Sequence, residues 1–331
     1  IEREDVMKAI VIENFGGPEV LNLKEVEKPK AGKGQVLIKA SGISVNFADI
    51  KTRKGDFHGA GNPPLIPGLD VAGIIEEVGD GVYDLKVGDK VIAFPPNGSY
   101  SEYVVADEIL TFKISDDMDM DIAAASPLVL FTSFNLLSRV GRLSKGESVL
   151  IHAAAGGIGT TAIQMAKLLG AGTVIGTVGS DEKIQIAKDA GADYVINYRK
   201  DSFAEKVKEY TNGNGADVIL DSVGSDVFRE SLECLAMYGR LVNFNSSSGT
   251  PGTLNTKEIH GSCRAVLGFS IGTTIKARPS ILKETASEVI PMLESGKIKI
   301  VIGNRFSLED ARSAHELIES RKSTGKILLK P

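Results

Sequence analysis

The run Ala153-Ala154-Ala155-Gly156-Gly157-Ile158-Gly159 has the residue types and spacing to cradle a phosphate. It follows the apolar stretch Val149-Leu150-Ile151 and leads into a segment with Ile163, Met165, Ala166 and Leu169 at helical spacing, closed by Gly170. Without Cβ atoms at Gly156, Gly157 and Gly159, a pyrophosphate can approach the backbone. A helix starting there adds unpaired N–H groups and about half a positive charge. Ala154 in the first slot departs from the G-x-G-x-x-G pattern. The position between a strand and a helix carries the dinucleotide reading, with Gly156, Gly157, Ile158 and Gly159 as the expected contacts.

A second group of residues selects the dinucleotide. NAD enzymes place an acid at the end of the next strand, roughly 20 residues on, for the ribose hydroxyls. Here that strand ends Thr177-Val178-Gly179-Ser180, with Val178 in the acid's place and Lys183 close behind. A hydroxyl and an ammonium suit a 2′-phosphate. Each charge-assisted hydrogen bond is worth roughly 1.5–3 kcal/mol, so the pair favours NADPH over NADH. Ser180 also reads as a helix cap, with Asp181 and Glu182 in the first turn. Asp181 is the discordant residue, because an acid there suits an NAD site.

These residues sit in a stretch, from about 126 to 269, where strand and helix patterns alternate. Strands are expected at 149–151, 173–178, 194–196, 218–221 and 240–244, with helices at 160–169, 181–190, 202–211 and 227–237. Such alternation builds an α/β, doubly wound parallel sheet with right-handed crossovers, a Rossmann-type cofactor domain over 126–270. From Met7 to about Phe112 the texture is β-rich. Runs at 36–40 and 90–93 are cut by turns at Gly16-Gly17-Pro18, Val87-Gly88-Asp89 and Pro95-Pro96-Asn97-Gly98, as in a partly open barrel. Two helices are expected near 281–295 and 308–321, then a strand at 326–330. A terminal apolar strand needs a sheet to join, so it returns to the first domain, which then comprises 1–125 and 271–331.

The bulk composition narrows the class. A chain of 331 residues, 42% hydrophobic and 24% charged, is long enough for two soluble domains. A net charge of −5 speaks against nucleic acid as a partner, since phosphate backbones draw on a basic surface. The two cysteines, Cys234 and Cys263, suggest a reducing compartment rather than a disulfide scaffold. No apolar run reaches the roughly 18–20 residues of a membrane span. The longest, 122–137, is broken by Pro127, Thr132, Ser133 and Asn135. The acidic start Ile1-Glu2-Arg3-Glu4-Asp5 lacks a signal-peptide core, and Met7 reads as the natural start after a six-residue extension. The expected location is cytoplasmic.

Several ordered segments carry a resemblance. They are Gly42-Ile43-Ser44-Val45-Asn46-Phe47-Ala48-Asp49 with Arg53 and Gly55, Pro67-Gly68-Leu69-Asp70-Val71-Ala72-Gly73, Val87-Gly88-Asp89-Lys90-Val91 and the alanine–glycine loop. Gly191-Ala192-Asp193 and the closing Ala314-His315-Glu316 to Glu319-Ser320-Arg321 add to them. From Met7 to its end the chain resembles the medium-chain dehydrogenase/reductase superfamily, and within it the zinc-free, zeta-crystallin-like quinone oxidoreductases. The resemblance implies a GroES-like catalytic domain beside the cofactor domain, NADPH as cofactor, and a small-molecule quinone or conjugated carbonyl as substrate. It also implies a homodimer joined through the cofactor domains.

Residue roles follow from the same resemblance. Asn46 matches a pocket asparagine near the nicotinamide, with Asp49 in the same loop, and Thr132 a threonine beside that ring. Ser180, Lys183, Tyr198 and Arg321 match adenosine-phosphate contacts, while Phe244, Ser246, Ser247 and Phe269 match contacts on the cofactor's other side. By pattern alone, Tyr198 is a packing aromatic and Arg321 a solvated helix-end cation.

Zinc alcohol dehydrogenases share this architecture, so metal ligands separate the two groups. Where the zinc family has a cysteine this chain has Asn46, and where it has histidine–glutamate this chain has Leu69-Asp70. No cysteine precedes Cys234, and His58, His152, His260 and His315 lack ligand spacing; His152 reads as structural or as a pocket lip. Without a Lewis acid, the expected chemistry is hydride addition to a conjugated carbonyl, whose product oxyanion is delocalised. Asn46 is the expected catalytic donor to that oxygen, with the proton from water or a ribose hydroxyl. Arg53 is a second cation in the loop, more ordinarily an exposed surface arginine.

Two alternatives stay open. In an enoyl-thioester reductase a tyrosine acid is expected where Phe57 stands, although Tyr83 or Tyr100 could fold inward; Tyr100 more ordinarily packs in a strand. The other alternative is a non-enzymatic NADPH-binding protein.

Overall fold

The computed structural model describes residues 6–56, 61–96 and 98–331. Phe57, His58, Asn97 and the acidic start 1–5 lie outside the described residues. The chain divides into two compact units. One holds Ile1–Leu128, Gly272–Ser295 and Ile302–Pro331, the other Val129–Ile271 and Gly296–Val301.

In the second unit the alternating pattern becomes a six-stranded, all-parallel sheet. From edge to edge the strands are Tyr194–Asn197, Thr173–Val178, Ser148–Ile151, Ala216–Asp221, Leu235–Asn243 and Ala265–Gly268. In chain order this reads 3-2-1-4-5-6, the doubly wound arrangement, and the order reverses between Ile151 and Asp221. Val149, Leu150, Val218 and Ile219 are fully buried, as strands covered on both faces must be. The intervening helices are Gly157–Leu168, Ile184–Asp189, Phe203–Tyr210 and Ser225–Glu233. Ser202 starts the third by accepting from the Glu205 N–H, which satisfies one orphan donor of the first turn.

One expected boundary fails. The helix predicted over 227–237 stops at Glu233, and Leu235 already pairs with Ala216 in the sheet. Leu232, Leu235 and Ala236 are all buried, and their spacing suits a helix face as well as the join of helix and strand. Tyr238, at φ 59°, marks the irregularity before regular pairing resumes at Arg240.

The first unit holds a hairpin, Val6–Val11 with Asn22–Glu27, and a seven-stranded sheet. Gln35–Val45 is its spine. It pairs with Val71–Val78 along most of its length, with Tyr103–Asp107 at one end and with the closing strand Lys326–Lys330 at the other. The closing strand also pairs in parallel with Ile302–Ser307, so the apolar chain end finds the sheet it requires. Ile38, Ile43, Val71, Val91, Val104, Ile327 and Leu329 pack together beneath. The apolar run 122–137 folds as two short helices, Met120–Ala125 and Pro127–Phe134, and a π turn from Asn135. Among the described residues no helix is long and apolar enough to cross a membrane.

Candidate active site

The strand Ser148–Ile151 ends where the sheet order reverses, and the next helix begins at Gly157 with Gly156 as its cap residue. No acid lies in that first turn, so the N–H groups of Gly157, Ile158 and Gly159 open the helix without intrahelical partners and without a competing negative charge. A Cβ on Gly159 would lie 2.3 Å from the Ala153 carbonyl oxygen, so only glycine lets helix and strand approach this closely. Ala153, at φ 51°, makes the sharp turn between them. Such a backbone cradle at a helix start fits a pyrophosphate.

His152 stands at the mouth of this loop and is buried. Its Nδ1 meets Thr177 Oγ1 and its Nε2 meets Ser231 Oγ, both at 2.8 Å, and Phe203 packs edge-on at 4.9 Å. Burial holds its pKa down to about 4, so it is a neutral tie between two strands and a helix. Thr132 is different. It is 3% exposed, yet its hydroxyl has no hydrogen-bond partner. An orphaned buried hydroxyl costs about 1–3 kcal/mol, and a ligand amide is a fitting partner for it.

The adenosine end is shaped by one turn. Gly179 is needed because a Cβ there would sit 2.8 Å from the Tyr198 hydroxyl, which places that phenol beside Ser180. Ser180 occupies the cap position of the 3-10 turn Asp181–Lys183, but its side chain makes no capping bond. Burial and then the nearby positive charge of Arg199 lower the Lys183 pKa, so two cations share this corner. Sequence reasoning missed Arg199; its only signal is adjacency to Tyr198.

Asp181 ceases to be discordant. Its Oδ1 accepts from Asn197 Nδ2 at 2.7 Å and its Oδ2 from the Lys200 ammonium, and these bonds hold its pKa below the usual carboxylate range.

The other expected contacts follow the fifth and sixth strands. The Phe244 N–H donates to the Asp221 carbonyl and the Ser247 N–H to the Ser222 carbonyl, both at 3.0 Å. The Ser246 N–H donates to Asn245 Oδ1, and its hydroxyl to the Thr250 carbonyl. Phe269 follows the edge strand, and its N–H donates to the Asn243 carbonyl at the end of the neighbouring fifth strand. These N–H groups are therefore committed within the protein, and carbonyls and side chains are what this segment can offer a ligand. Arg321 belongs to the first unit, at φ 59° just past the helix Ala311–Glu319.

Asn46, Asp49 and Asp70 lie in the first unit in a buried polar cluster. Asn46 begins the helix Phe47–Lys54 through a capping box with Asp49, whose Oδ2 accepts from the Asn46 N–H at 2.8 Å. The Asn46 amide is not a free donor. Its Nδ2 gives one hydrogen to Asp70 Oδ1 at 2.7 Å, keeps weaker contacts with Ser44 at 3.3 and 3.4 Å, and its Oδ1 accepts from Lys326. Asp70 also accepts from Ser44 Oγ and from the Leu128 N–H. Burial raises the Asp70 pKa and lowers that of Lys326, while the opposite charge of each partner works against both shifts.

Asp49 is fully enclosed, and the hydrogen bonds of its Oδ2 lie within the first unit while its Oδ1 has no partner. Tyr100 donates to Asp49 Oδ2 at 3.1 Å and meets His315 Nε2 at 3.0 Å, while His315 Nδ1 faces Arg53 Nη1 at 3.3 Å. Arginine can only donate, so Nδ1 accepts, Nε2–H donates to the phenol, and the phenol donates to Asp49. Burial and then Arg53 hold the His315 pKa down to about 3. Arg53, expected on the surface, is fully buried, with Glu319 at 2.9 Å and the Gly16 carbonyl at 3.1 Å. Tyr100 does fold inward, to bond rather than merely pack, whereas Tyr83 stays 87% exposed. Among the described residues no group of three or more histidine, cysteine, aspartate or glutamate side chains is placed to hold a metal ion.

Comparison with known proteins bears on the family and the fold. Residues 32–116 match the family described as alcohol dehydrogenase GroES-like domain, and residues 157–294 that described as zinc-binding dehydrogenase. The chain is 39% identical over 335 residues to a quinone oxidoreductase of Salmonella typhimurium, covering 97% of this chain and 99% of that one. It is 34% identical to a 2-haloacrylate reductase of a Burkholderia species, covering 98% and 99%. Its fold superposes on the crystal structure of Escherichia coli quinone oxidoreductase complexed with NADPH at a TM-score of 0.91 and 35% identity, covering 98% of this chain and all of that one. The chain belongs to the quinone oxidoreductase branch of the medium-chain dehydrogenase/reductase superfamily, built from a GroES-like and a Rossmann-type domain.

Proposed function

We propose that the chain is an NADPH-dependent quinone oxidoreductase that works without zinc. The observation that carries the cofactor assignment is the corner at the end of the second strand, where Ser180, Tyr198, Lys183 and Arg199 gather beside an acid that is already paired. A relative named for quinone reduction, and a neighbour crystallised with NADPH, support the acceptor and the cofactor. Zinc independence is supported by the donor set, since Asn46, Leu69 and Asp70 stand where the zinc enzymes carry cysteine, histidine and glutamate.

NADPH, when bound, supplies the hydride. The Gly156–Gly159 backbone would hold its pyrophosphate, Ser180 and Lys183 its 2′-phosphate, and the Thr132 hydroxyl its carboxamide. Asn46, oriented by Asp70 and Lys326, would exchange the weak Ser44 contacts of its second amide hydrogen for the acceptor's carbonyl oxygen as negative charge develops there. Delocalised product charge makes a strong Lewis acid unnecessary.

The relative named as a 2-haloacrylate reductase supports a wider class of conjugated acceptors. An enoyl-thioester mechanism with a tyrosine acid is less well supported, because the Tyr100 hydroxyl is committed to Asp49 and His315. A homodimer and a cytoplasmic location complete the proposal. Ala265–Gly268 is an edge strand able to pair with a second copy, and two free cysteines suit a reducing compartment. A panel of naphthoquinone, phenanthrenequinone, a haloacrylate and an enoyl thioester, each with NADPH, tests the acceptor class. Quinones turn over fastest on this account, and a faster thioester rate contradicts it.

A further inference from the structure

The turn Asn197-Tyr198-Arg199-Lys200 does more than supply a phenol and a cation. Asn197 ends the third strand, paired with Val178 of the second, and is 7% exposed. Its amide is fixed at both ends: Oδ1 accepts from the Arg199 N–H at 3.1 Å, and Nδ2 donates to Asp181 Oδ1. Its carbonyl accepts from the N–H groups of Lys200 and Asp201, which closes the turn and brings the Lys200 ammonium to Asp181 Oδ2. Both oxygens of Asp181 are thereby occupied, one by a rigid buried donor and one by a cation.

We infer that Asn197 and Lys200 determine cofactor specificity by sequestering Asp181, holding its carboxylate away from the 2′-phosphate and cancelling its charge. An acid next to Ser180 is otherwise suited to ribose hydroxyls and repels a phosphate dianion. The inference rests on the proposed use of NADPH at Ser180 and Lys183. It assigns the preference to a contact between protein groups that touches neither cofactor.

The test is titration of NADPH and NADH into the parent protein, Lys200→Ala, Asn197→Ala/Lys200→Ala and the triple variant that adds Asp181→Ala. The double variant is expected to lower the NADPH-to-NADH affinity ratio by roughly fivefold or more, since an exposed ion pair moves an equilibrium by up to about that factor and the buried Asn197 bond adds to it. Lys200→Ala, at a residue 64% exposed, should give a smaller fall in the same direction without threatening the fold. Adding Asp181→Ala should restore the ratio, which a direct Lys200–phosphate contact would not allow. Retained NADH binding shows that a variant is folded. An unchanged ratio in both the single and double variants, or no restoration in the triple, overturns the inference. A parent that does not distinguish the cofactors overturns the underlying reading as well, which separates the two failures.

Discussion

The Asn46 amide nitrogen lies 2.7 Å from Asp70 Oδ1, and the two residues share a buried ammonium, Lys326. The geometry makes Asn46 a positioned group rather than a mobile one. It also leaves the buried Asp70 carboxyl and the Lys326 ammonium each dependent on the other's charge.

Asp70→Ala should therefore destabilise the protein by at least about 1–3 kcal/mol, because Asn46, Ser44 and the Leu128 N–H lose a buried acceptor and Lys326 keeps only the Asn46 and Val45 oxygens and the charge of Asp49. The double variant Asp70→Ala/Lys326→Met should recover much of that loss. Denaturant midpoints of the three proteins check this; a double variant as weak as Asp70→Ala contradicts it.

Asp49 gives a pH signature. Burial holds its carboxyl up at about 7, against about 4 in an unfolded chain, and its Oδ1 is enclosed without a partner. The folded state thus binds the extra proton between about pH 4 and 7, and stability falls as pH rises through that window. Asp49→Asn does not titrate, so its stability relative to the parent should rise by up to a few kcal/mol across the window. His315 and His152, held neutral with pKa values of about 3 and 4, act oppositely: their contribution is lost as pH falls below about 6.5. Because both remain in the variant, their contributions largely cancel, and the difference reports Asp49 together with its coupling to Asp70 and Lys326. A difference that is flat with pH contradicts the assignment.

Gly159→Ala places a Cβ 2.3 Å from the Ala153 oxygen. Overpacking of this kind costs typically about 1–3 kcal/mol, and the shift in helix start should weaken NADPH binding at least about tenfold. Calorimetric Tm and cofactor titration read the two effects, and normal binding at a normal Tm would exclude the close approach.

Lys183→Glu should raise the NADPH KM far more than the NADH KM, and the difference should shrink at high salt because the corner is partly exposed. Steady-state kinetics with both cofactors at two ionic strengths measure it. Equal effects on the two cofactors place the phosphate elsewhere.

Local pattern exposed the strands and helices of the second unit because parallel strands covered on both faces are continuous apolar runs. The glycine loop was legible for the same reason, since it sits between two such elements. The boundary at Glu233 was not, because Leu232, Leu235 and Ala236 satisfy a helix face and a strand end alike. Arg53 and Tyr100 were misplaced because their partners are remote: His315 lies 262 residues from Arg53 and 215 from Tyr100 in the chain. The pairing of Asp181 was hidden in a turn, where Asn197 and Lys200 carry no periodic signal. Thr132 is legible as a position, but its orphaned hydroxyl exists only once the helix around it is packed.

NADPH oxidation by the chelator-treated protein with naphthoquinone, run in parallel with NADH, tests the central claim most directly. The account predicts turnover undiminished by chelation and a kcat/KM with NADPH at least about tenfold above that with NADH, the discrimination of one good charged hydrogen bond. Tight NADPH binding without quinone turnover, loss of activity on chelation, or equal rates with NADH would contradict it.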